Sequence, residues 1–415
     1  MKRYKSVFRQ RPIRKCRCCI VFSYFCVVVA MLLGWLYRSV PDVIYIEQGG
    51  SVVIGGYPFL TAQRQMDRSS VVSTSEPGSY NLTLAVGGVL PLKQVRAIVT
   101  KRPVVTVCGT PFGIKMFSDG ALVVGFGDLS VAGGRANPAK EAGLKLGDRI
   151  ISMGGLPTRS NEELRSAIEK AEGQSVTVVF VRDGSQRSAS LTPVKDNSGS
   201  WKAGMWVRDS SAGVGTLTFV DESVGVFAGL GHSINDSDTG ACVALRSGEI
   251  VSCEIVGCTC GSAGRPGELK GHFTGSFAMG TIVLIDQTGV YGTTRRSFAG
   301  KQCELAFAQE VTTGSAVLIT TIEGAKPQEY TVEIEKVSLA GGDKKRNLIL
   351  RVTDPRLLQA TGGIVQGMSG SPILQNGRLV GAVTHVLVDD PTRGYAIFAQ
   401  TMLEQSRQLP AQKVA

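Results

Sequence analysis

Residues 200–399 form a succession of short runs rich in Val, Ile, Leu and Thr, and Gly, Asp or Asn separates one run from the next. The chain contains 51 glycines, and this part of it shows few signals for helix starts or ends. Short apolar or β-branched runs between turn-forming residues predict β-strands. About 200 residues of this kind fit a sandwich or a double barrel, so we expect a mainly β domain at 200–410.

An uncharged segment of 20 residues, CCIVFSYFCVVVAMLLGWLY, occupies positions 18–37. A helix of this length spans the hydrocarbon core of a bilayer. Residues 1–17 carry eight Lys or Arg and no acidic residue, which predicts a cytoplasmic tail and an extracytoplasmic bulk. A cleaved signal peptide is the alternative, but its apolar part is usually shorter and a small-x-small cleavage site follows it. We therefore expect a single-pass membrane anchor.

The net charge of +11 is concentrated at the N-terminus, because residues 1–38 hold nine Lys or Arg and no acidic residue. The rest of the chain carries only +2 and has no basic stripe. Nucleic-acid binding requires a clustered positive surface, so no nucleic-acid partner is expected. The partner that the basic tail and the apolar helix predict is the membrane.

Residues 38–105 predict a β-rich region that contains a polar, Ser-rich linker at 61–80. Further along, Cys253, Cys258 and Cys260 have a spacing that allows a zinc site, but no second ligand pair or nearby His accompanies them. Buried thiols or one disulfide explain these cysteines better. We predict no metal and no cofactor.

Residues 106–195 resemble a PDZ domain. The A-x-x-A-G-L-x-x-G-D-x-I pattern at 139–150 carries the resemblance, and Ser160 with Glu163 predicts the capping box of a following helix. The segment 112–126 predicts two strands that turn at 118–120. PDZ domains bind extended peptides by adding a strand to a sheet edge. The resemblance therefore implies a peptide groove, from this chain or another, along the following residues: Phe112, Gly113, Ile114, Lys115 and Met116.

The sequence GMSGSP at 367–372 predicts a tight turn that exposes a nucleophilic serine. It has the G-x-S-G-x-P form found around the serine of chymotrypsin-like proteases, and two strands joined by an Asn-Gly turn follow it. Ser369 takes the nucleophile position and Ser371 supports the turn. The N–H groups of Gly367 and Ser369 would form the oxyanion hole.

The chain has three histidines, His232, His272 and His385. His232 follows an apolar run and a glycine and precedes a polar Asp- and Asn-rich segment, which suits the general base of a serine protease. His272 and His385 fit loop or strand positions better. The order His then Ser is that of chymotrypsin.

A serine protease of this type also needs an aspartate that orients the histidine, and two aspartates have a spacing that allows this role. Asp286 lies 54 residues after His232, close to the usual separation in that class, and Asp354 lies 15 residues before Ser369. Asp236 and Asp238 are so near His232 in sequence that their side chains would have to fold back. Spacing alone favours Asp286.

The motifs GHSINDSDT at 231–239, GIVQGMSGSPILQNGRLVGAVTHV at 363–386 and DDPTRGY at 389–395 closely resemble the stage IV sporulation protein B (SpoIVB) serine peptidase family. The resemblance covers nearly the whole chain. It implies a mainly β fold, with a PDZ domain and a chymotrypsin-like double β-barrel protease domain after one N-terminal transmembrane helix. It also implies the triad His232, Asp354 and Ser369, and on this basis Asp354 is preferred to Asp286.

The resemblance further implies a self-cleaving endopeptidase that signals during endospore formation. Its expected location is the space between the two forespore membranes, where it would be released from its anchor. Its expected substrates are a second copy of itself and a membrane-anchored regulatory subunit of an intramembrane metalloprotease, whose release leads to processing of a mother-cell sigma factor. The linker 61–80 is the candidate self-cleavage site. The alternative is a PDZ-bearing membrane-tethered scaffold without catalysis, which the intact serine and histidine motifs oppose.

Overall fold

The computed structural model describes residues 17–64, 76–230, 245–339 and 346–409, and His232 with the rest of 231–244 lies outside them. The chain divides into two compact units. Unit 1 is Met1–Thr100 with Leu339–Gly341, and unit 2 is Lys101–Ser338 with Gly342–Ala415.

Unit 1 contains a long apolar helix and a four-stranded sheet. Its elements are α1 (Arg17–Ser39), β1 (Val43–Glu47), β2 (Leu60–Arg64), β3 (Gly78–Val86) and β4 (Leu90–Thr100). The strand order is β1-β4-β3-β2, and only the β1–β4 pair in this sheet is parallel. Within α1, Ile20–Ser39 is long and apolar enough to cross a membrane, which agrees with the predicted anchor.

Lys93 on β4 connects this sheet to the end of α1. Its Nζ donates to the carbonyl oxygens of Tyr37 at 3.3 Å and Val40 at 2.6 Å. The last carbonyls of a helix have no partner within the helix, so a buried ammonium group there satisfies them. The predicted linker 61–80 is wrong at both ends, because residues 61–64 belong to β2, which pairs with β3, and residues 78–80 belong to β3, where they pair with β4.

Unit 2 begins with these elements: β5 (Val104–Val107), β6 (Pro111–Phe126), β7 (Leu129–Val131), β8 (Gly134–Ala136), α2 (Pro138–Glu141), β9 (Arg149–Met153), β10 (Leu156–Pro157), α3 (Asn161–Lys170), β11 (Val176–Arg182), β12 (Ser185–Leu191), β13 (Val194–Lys195) and β14 (Trp201–Lys202). The later elements are β15 (Met205–Asp221), β16 (Val226–Gly229), β17 (Leu245–Thr259), β18 (Glu268–Asp286), β19 (Gly289–Thr293), β20 (Lys301–Glu304), a 3-10 helix (Ala308–Glu310), β21 (Gly314–Thr320), β22 (Gln328–Val337), β23 (Leu348–Val352), α4 (Pro355–Thr361), β24 (Pro372–Gln375), β25 (Arg378–Leu387), β26 (Asp390–Phe398) and α5 (Ala399–Ser406).

The PDZ core lies between α3 and the strands β12, β11, β9 and the second half of β6. Ser160 caps α3, since its side chain accepts from the N–H of Glu163, and Glu163 accepts in return from the N–H of Arg159. The Ser160 half of the predicted capping box is thus confirmed, whereas the return bond to Glu163 comes from Arg159, one residue before the N-cap, and not from Ser160. Asp148 of the G-D motif is fully buried and accepts two 2.6 Å hydrogen bonds from Arg182.

A first six-stranded barrel is formed by β6, β17, β18, β19, β16 and β15, and the β6–β15 pairing closes it. Its interior is apolar, with Phe112, Ile114 and Met116 of β6 among the buried residues. The first half of β6 therefore belongs to this barrel, and the predicted start of the PDZ domain at 106 is wrong. The predicted turn at 118–120 is also wrong, because β6 runs through these residues as one strand.

The second barrel is closed in the order β21-β22-β23-β26-β25-β24. A cluster of buried apolar residues joins the two barrels, with Phe219 and Tyr291 from the first and Leu374 and Leu379 from the second. Helix α5 packs on the same cluster through Met402. The double β-barrel expected from the sequence is thus confirmed.

Candidate active site

The nucleophile turn, residues 367–372, connects the segment after α4 to β24 at one end of the second barrel. Its backbone is held by hydrogen bonds from the N–H of Met368 to Val365 and from the N–H of Ser371 to Met368. The N–H of Gly370 donates to the carbonyl of Val383 on β25 at 2.7 Å. Gly370 has a φ of +94°, a region that favours glycine, and a Cβ there would collide with the Thr216 carbonyl oxygen.

The two serines of the turn have different environments. Ser371 is fully buried, and its Oγ donates to Oγ1 of Thr320 at 2.8 Å. Ser369 is partly exposed, and its Oγ donates to the carbonyl oxygen of Thr384 at 2.8 Å. A nucleophile must reach solvent and substrate, so the geometry suits Ser369 for attack and Ser371 for support.

The turn docks on β15 of the first barrel through its carbonyl groups. Thr216 donates from its N–H to the Ser369 carbonyl at 3.0 Å and from Oγ1 to the Gly367 carbonyl at 2.9 Å. Oγ1 of Thr218 donates to the Gly370 carbonyl at 2.7 Å. Both threonines are buried. With these carbonyls directed at β15, three fixed hydrogen bonds set the orientation of the turn.

The N–H groups of Gly367 and Ser369 make no hydrogen bond to any described residue, whereas those of Met368, Gly370 and Ser371 do. Two N–H donors without acceptors beside a partly exposed serine are what an oxyanion hole requires. The assignment of these two groups to the hole stays a prediction.

A β-hairpin of the first barrel supports the oxyanion side of the turn. Leu269 donates from its N–H to the carbonyl of Gln366, and Gln366 donates in turn to the carbonyl of Gly267. A Cβ at Gly367 would lie 3.0 Å from Cβ of Leu269. The β17–β18 hairpin thus fixes the position of Gly367.

His232 lies outside the described residues, but the chain is described up to two residues before it. Leu230 follows β16 with a φ of +65°, a strained value for a branched side chain. Its N–H faces the carbonyl of Thr216 at 3.4 Å, and the Gly370 backbone approaches it closely. Leu230, the last described residue before His232, therefore lies directly beside the nucleophile turn.

Asp354 is the N-cap of α4 and is 4% exposed. Its Oδ1 accepts from the N–H of Arg356 at 2.9 Å and from its Nε at 3.1 Å. Its Oδ2 accepts from the N–H of Thr331 at 3.2 Å and from Nη2 of Arg356 at 2.9 Å. Arg356, with the two backbone donors, holds the pKa of the Asp354 carboxyl at about 2. A carboxylate offers about four acceptor positions, and four donors occupy them here.

Asp286 ends β18 and is partly exposed. Its Oδ1 accepts from the N–H of Thr288 at 2.7 Å and from Oγ1 of the same residue at 2.6 Å. Its Oδ2 receives no hydrogen bond from the described residues. Asp286 pairs with Gly289, and the adjacent Val290 pairs with Gly229. Asp286 thus lies at the same barrel end as the start of the His232 segment.

The remaining predicted residues have other positions, and His385 directly follows Thr384, whose carbonyl accepts from Ser369. His272 is exposed on β18, opposite Glu254, and His385 is partly buried on β25 beside Tyr395. Asp236 and Asp238 lie outside the described residues. Cys253, Cys258 and Cys260 are free thiols, and burial raises the pKa of Cys253 to about 11.

The predicted PDZ groove along residues 112–116 is wrong. This part of β6 pairs with β15 on one side, from Gly215 opposite Phe112 to Ser211 opposite Met116. On its other side it pairs with β17, from Ser252 opposite Phe112 to Gly248 opposite Met116. With both edges used by the barrel, no peptide can add to this segment as a strand.

Thr216, Thr218 and Leu269 are functional residues that sequence reasoning missed. Their segments predicted strands, and nothing local indicated which loop the side chains would hold. Only the pairing of distant strands brings them to the nucleophile turn.

Comparison with known families identifies the chain. The family described as SpoIVB peptidase S55 matches residues 199–403, and the PDZ domain family matches residues 127–192. The chain belongs to the SpoIVB peptidase S55 family. The two matched segments contain the GMSGSP motif at 367–372 and the PDZ pattern at 139–150 on which the expectations from the sequence rest.

Individual relatives resemble only parts of the chain. It is 38% identical to the putative zinc metalloprotease SA1105 of Staphylococcus aureus (strain N315) over 58 residues, 14% of each chain. It is 30% identical to the putative zinc metalloprotease NMA0084 of Neisseria meningitidis serogroup A over 93 residues, 21% of each chain. The matched segment is thus between a seventh and about a fifth of the length of these relatives.

Among solved structures, the Rv3671c protease of M. tuberculosis in its active form is 18% identical, with a TM-score of 0.32, and the match covers 49% of this chain and 77% of that one. The PDZ domain of the SdrC-like protein Lmo2051 of Listeria monocytogenes is 24% identical, with a TM-score of 0.18, and the match covers 22% of this chain and 90% of that one.

Proposed function

We propose that the chain is a membrane-anchored serine endopeptidase in which Ser369 is the nucleophile and His232 the general base. The observation that carries this proposal is the geometry of the nucleophile turn. Ser369 is partly exposed, and its own N–H and that of Gly367 have no acceptor among the described residues. The turn also packs against Leu230, two residues before His232.

In the first step, Ser369 Oγ attacks the scissile carbonyl while His232 takes its proton. The oxyanion that forms accepts hydrogen bonds from the N–H groups of Gly367 and Ser369. His232 then protonates the leaving amine, and water repeats the sequence on the acyl-enzyme. In the structure Ser369 Oγ donates to Thr384, so it must rotate away from that carbonyl to donate to His232.

For the acid, hydrogen-bond accounting supports Asp286 over Asp354. The resemblance implies Asp354, but four donors already occupy its acceptor positions, and an imidazole N–H would have to displace one. Asp286 has an oxygen without a described donor, at the barrel end where the His232 segment starts. We therefore assign Asp286 to orient His232 and Asp354 to hold the start of α4.

Family membership supports a role in signalling during endospore formation. We propose that the enzyme is released from its anchor by self-cleavage between β2 and β3, within 65–77, in trans on a second copy. It then cleaves a membrane-anchored regulator of an intramembrane metalloprotease, which allows processing of a mother-cell sigma factor. The apolar helix α1 supports the anchoring, and the eight basic residues at 1–17 support a cytoplasmic N-terminus.

The test compares Ser369→Ala with Ser371→Ala in the full chain in detergent micelles. Ser369→Ala should abolish self-cleavage and peptide cleavage and leave the circular dichroism spectrum unchanged. Ser371→Ala should lower thermal stability and retain cleavage, because its hydroxyl only supports the turn. Cleavage by Ser369→Ala at the wild-type rate would favour the scaffold alternative.

A further inference from the structure

The space that receives the substrate side chain before the scissile bond, the P1 residue, can be located from the nucleophile turn. In peptidases of this mechanism that side chain enters a pocket beside the serine, and the pocket sets specificity. Here the pocket walls are the segment 363–367, the end of β25 and the neighbouring β26. Ser369 Oγ lies 2.8 Å from the Thr384 carbonyl on β25, and Val386 of β25 pairs with Gly394 of β26.

At the base of this pocket, the position that selects a basic P1 residue in trypsin carries no side chain in this chain. In trypsin an aspartate six residues before the serine selects Lys and Arg. Gly363 occupies the corresponding position here, with a φ of +134°. A Cβ at Gly363 would collide with the carbonyl oxygen of Pro391, so no side chain fits there. The pocket therefore offers no counter-charge for a basic P1 residue at this position.

The side chain of Ile364 fills the space next to this base. Ile364 is 1% exposed, and its N–H donates to the Pro391 carbonyl at 2.8 Å, which fixes its backbone on β26. Its Cδ1 lies 2.5 Å from where a Cβ of Gly394 would be. The glycine thus makes room for the isoleucine and not for substrate. Val365 and Met368 of the same segment are also buried and apolar.

From this packing we infer that Ile364 and Gly394 limit the P1 position to small, uncharged residues such as Ala, Ser, Thr or Val. This inference rests on the proposed function of Ser369. A Leu, Phe, Lys or Arg side chain would have to displace Ile364, whose backbone N–H is held by the hydrogen bond to the Pro391 carbonyl. The chain itself contains a matching sequence, since SSVVSTS at 69–75 within the proposed self-cleavage linker consists only of such residues.

The experiment uses the full chain in detergent micelles and internally quenched peptides that differ only at P1, with Ala, Val, Leu, Phe, Lys or Asp there. Wild type should cleave after Ala and Val and much more slowly after the larger or charged residues. Ile364→Ala should raise kcat/KM for P1 Leu relative to P1 Ala by about 10- to 100-fold, the range that one or two methylene groups supply in an apolar pocket. Ile334→Ala, an equally buried isoleucine in β22, is the matched control and should keep the wild-type ratio.

The outcomes separate the two proposals. Cleavage that requires Ser369 but proceeds equally well after Leu, Phe or Lys overturns the subsite and leaves the enzyme intact. If the ratio of kcat/KM for P1 Leu to that for P1 Ala is the same in Ile364→Ala and Ile334→Ala, the subsite is also overturned. If no variant and no wild-type sample cleaves any peptide or itself, the proposed function fails, and the subsite fails with it. Should Ile364→Ala not fold, the wild-type P1 profile alone decides.

Discussion

Exchanging Asp354 and Asp286 for asparagine, one at a time, tests the assignment of the triad acid. Asparagine caps a helix as well as aspartate does, so Asp354→Asn keeps the hydrogen bond to the N–H of Arg356. It loses the charge that faces the guanidinium, whose side chain is 64% exposed and therefore well screened. It also replaces one acceptor oxygen by an amide NH2 group that faces the donors of Thr331 and Arg356, so the expected cost is about 1–3 kcal/mol of unfolding free energy. We expect kcat/KM to stay within about threefold of wild type, since no reacting group moves.

Asp286→Asn should behave in the opposite way. An asparagine at the acid position stabilises the wrong imidazole tautomer and lowers kcat by about 10⁴-fold in the enzyme where this was worked out. The hydrogen bonds that Asp286 accepts from Thr288 can be made by an amide oxygen as well, so the fold should be retained. We therefore expect unchanged thermal unfolding and a loss of kcat by about three to four orders of magnitude.

The assay combines peptide cleavage with urea unfolding at several pH values. Because the folded-state pKa of Asp354 is about 2, below its ordinary value of 3.8, its ionised form stabilises the fold above pH about 4. That contribution disappears as the pH falls from about 4 to 2, and Asp354→Asn should lack this part of the acid dependence. A 10⁴-fold loss of kcat in Asp354→Asn with normal activity in Asp286→Asn would refute the hydrogen-bond accounting and restore the acid that the family resemblance implies.

Four further substitutions, one of them a control, test interactions within the protease and PDZ domains. Thr218→Val leaves the buried Gly370 carbonyl of the nucleophile turn without its donor. Both kcat and the free energy of unfolding should fall, the latter by about 1–3 kcal/mol in urea unfolding. The control Thr321→Val removes a similar buried hydrogen bond outside the turn and should lower stability but leave kcat unchanged. Asp148→Asn breaks the buried pair with Arg182, and calorimetry should show a loss of about 3–5 kcal/mol in the PDZ domain. Ile114→Ala should destabilise the protease domain by about 2–5 kcal/mol, measured as earlier loss of peptidase activity in urea, because this residue belongs to the barrel core; peptidase unfolding identical to wild type would contradict that placement.

Features with a local physical cause could be predicted from the sequence. The length and lack of charge of α1, the N-cap of α3 and the GMSGSP turn depend on residues close together in the chain. The Asn-Gly pair at 376–377 also predicted its hairpin, and both residues have the positive φ values that this turn requires. Such features need no knowledge of distant partners.

Features that depend on distant pairing could not be predicted. The segment 112–116 alternates apolar and other residues, and this pattern is expected both for a PDZ strand and for a barrel strand. Only its pairing with β15 and β17 assigns it to the barrel. The hydrogen bonds that Asp354 accepts could be predicted from the sequence only in part. Asp before Pro is a common helix start, with the carboxylate as N-cap and proline at the first helical position. That local signal could have shown that Asp354 has a structural role.

The long strands β6 and β15 determine how the PDZ domain can be removed without destroying the protease. A deletion of 108–194 would also remove the first half of β6, which closes the first barrel, so loss of activity would say nothing about the PDZ domain. Phe117 and Ser210 are direct partners in the β6–β15 ladder. Replacing 118–209 by a two-residue Asn-Gly turn should therefore join the two barrel strands as a hairpin. We expect this chain to cleave short peptides at the wild-type rate and to lose only the selection of protein substrates; cleavage of the protein substrate at an unchanged rate would show that the PDZ domain has no part in that selection.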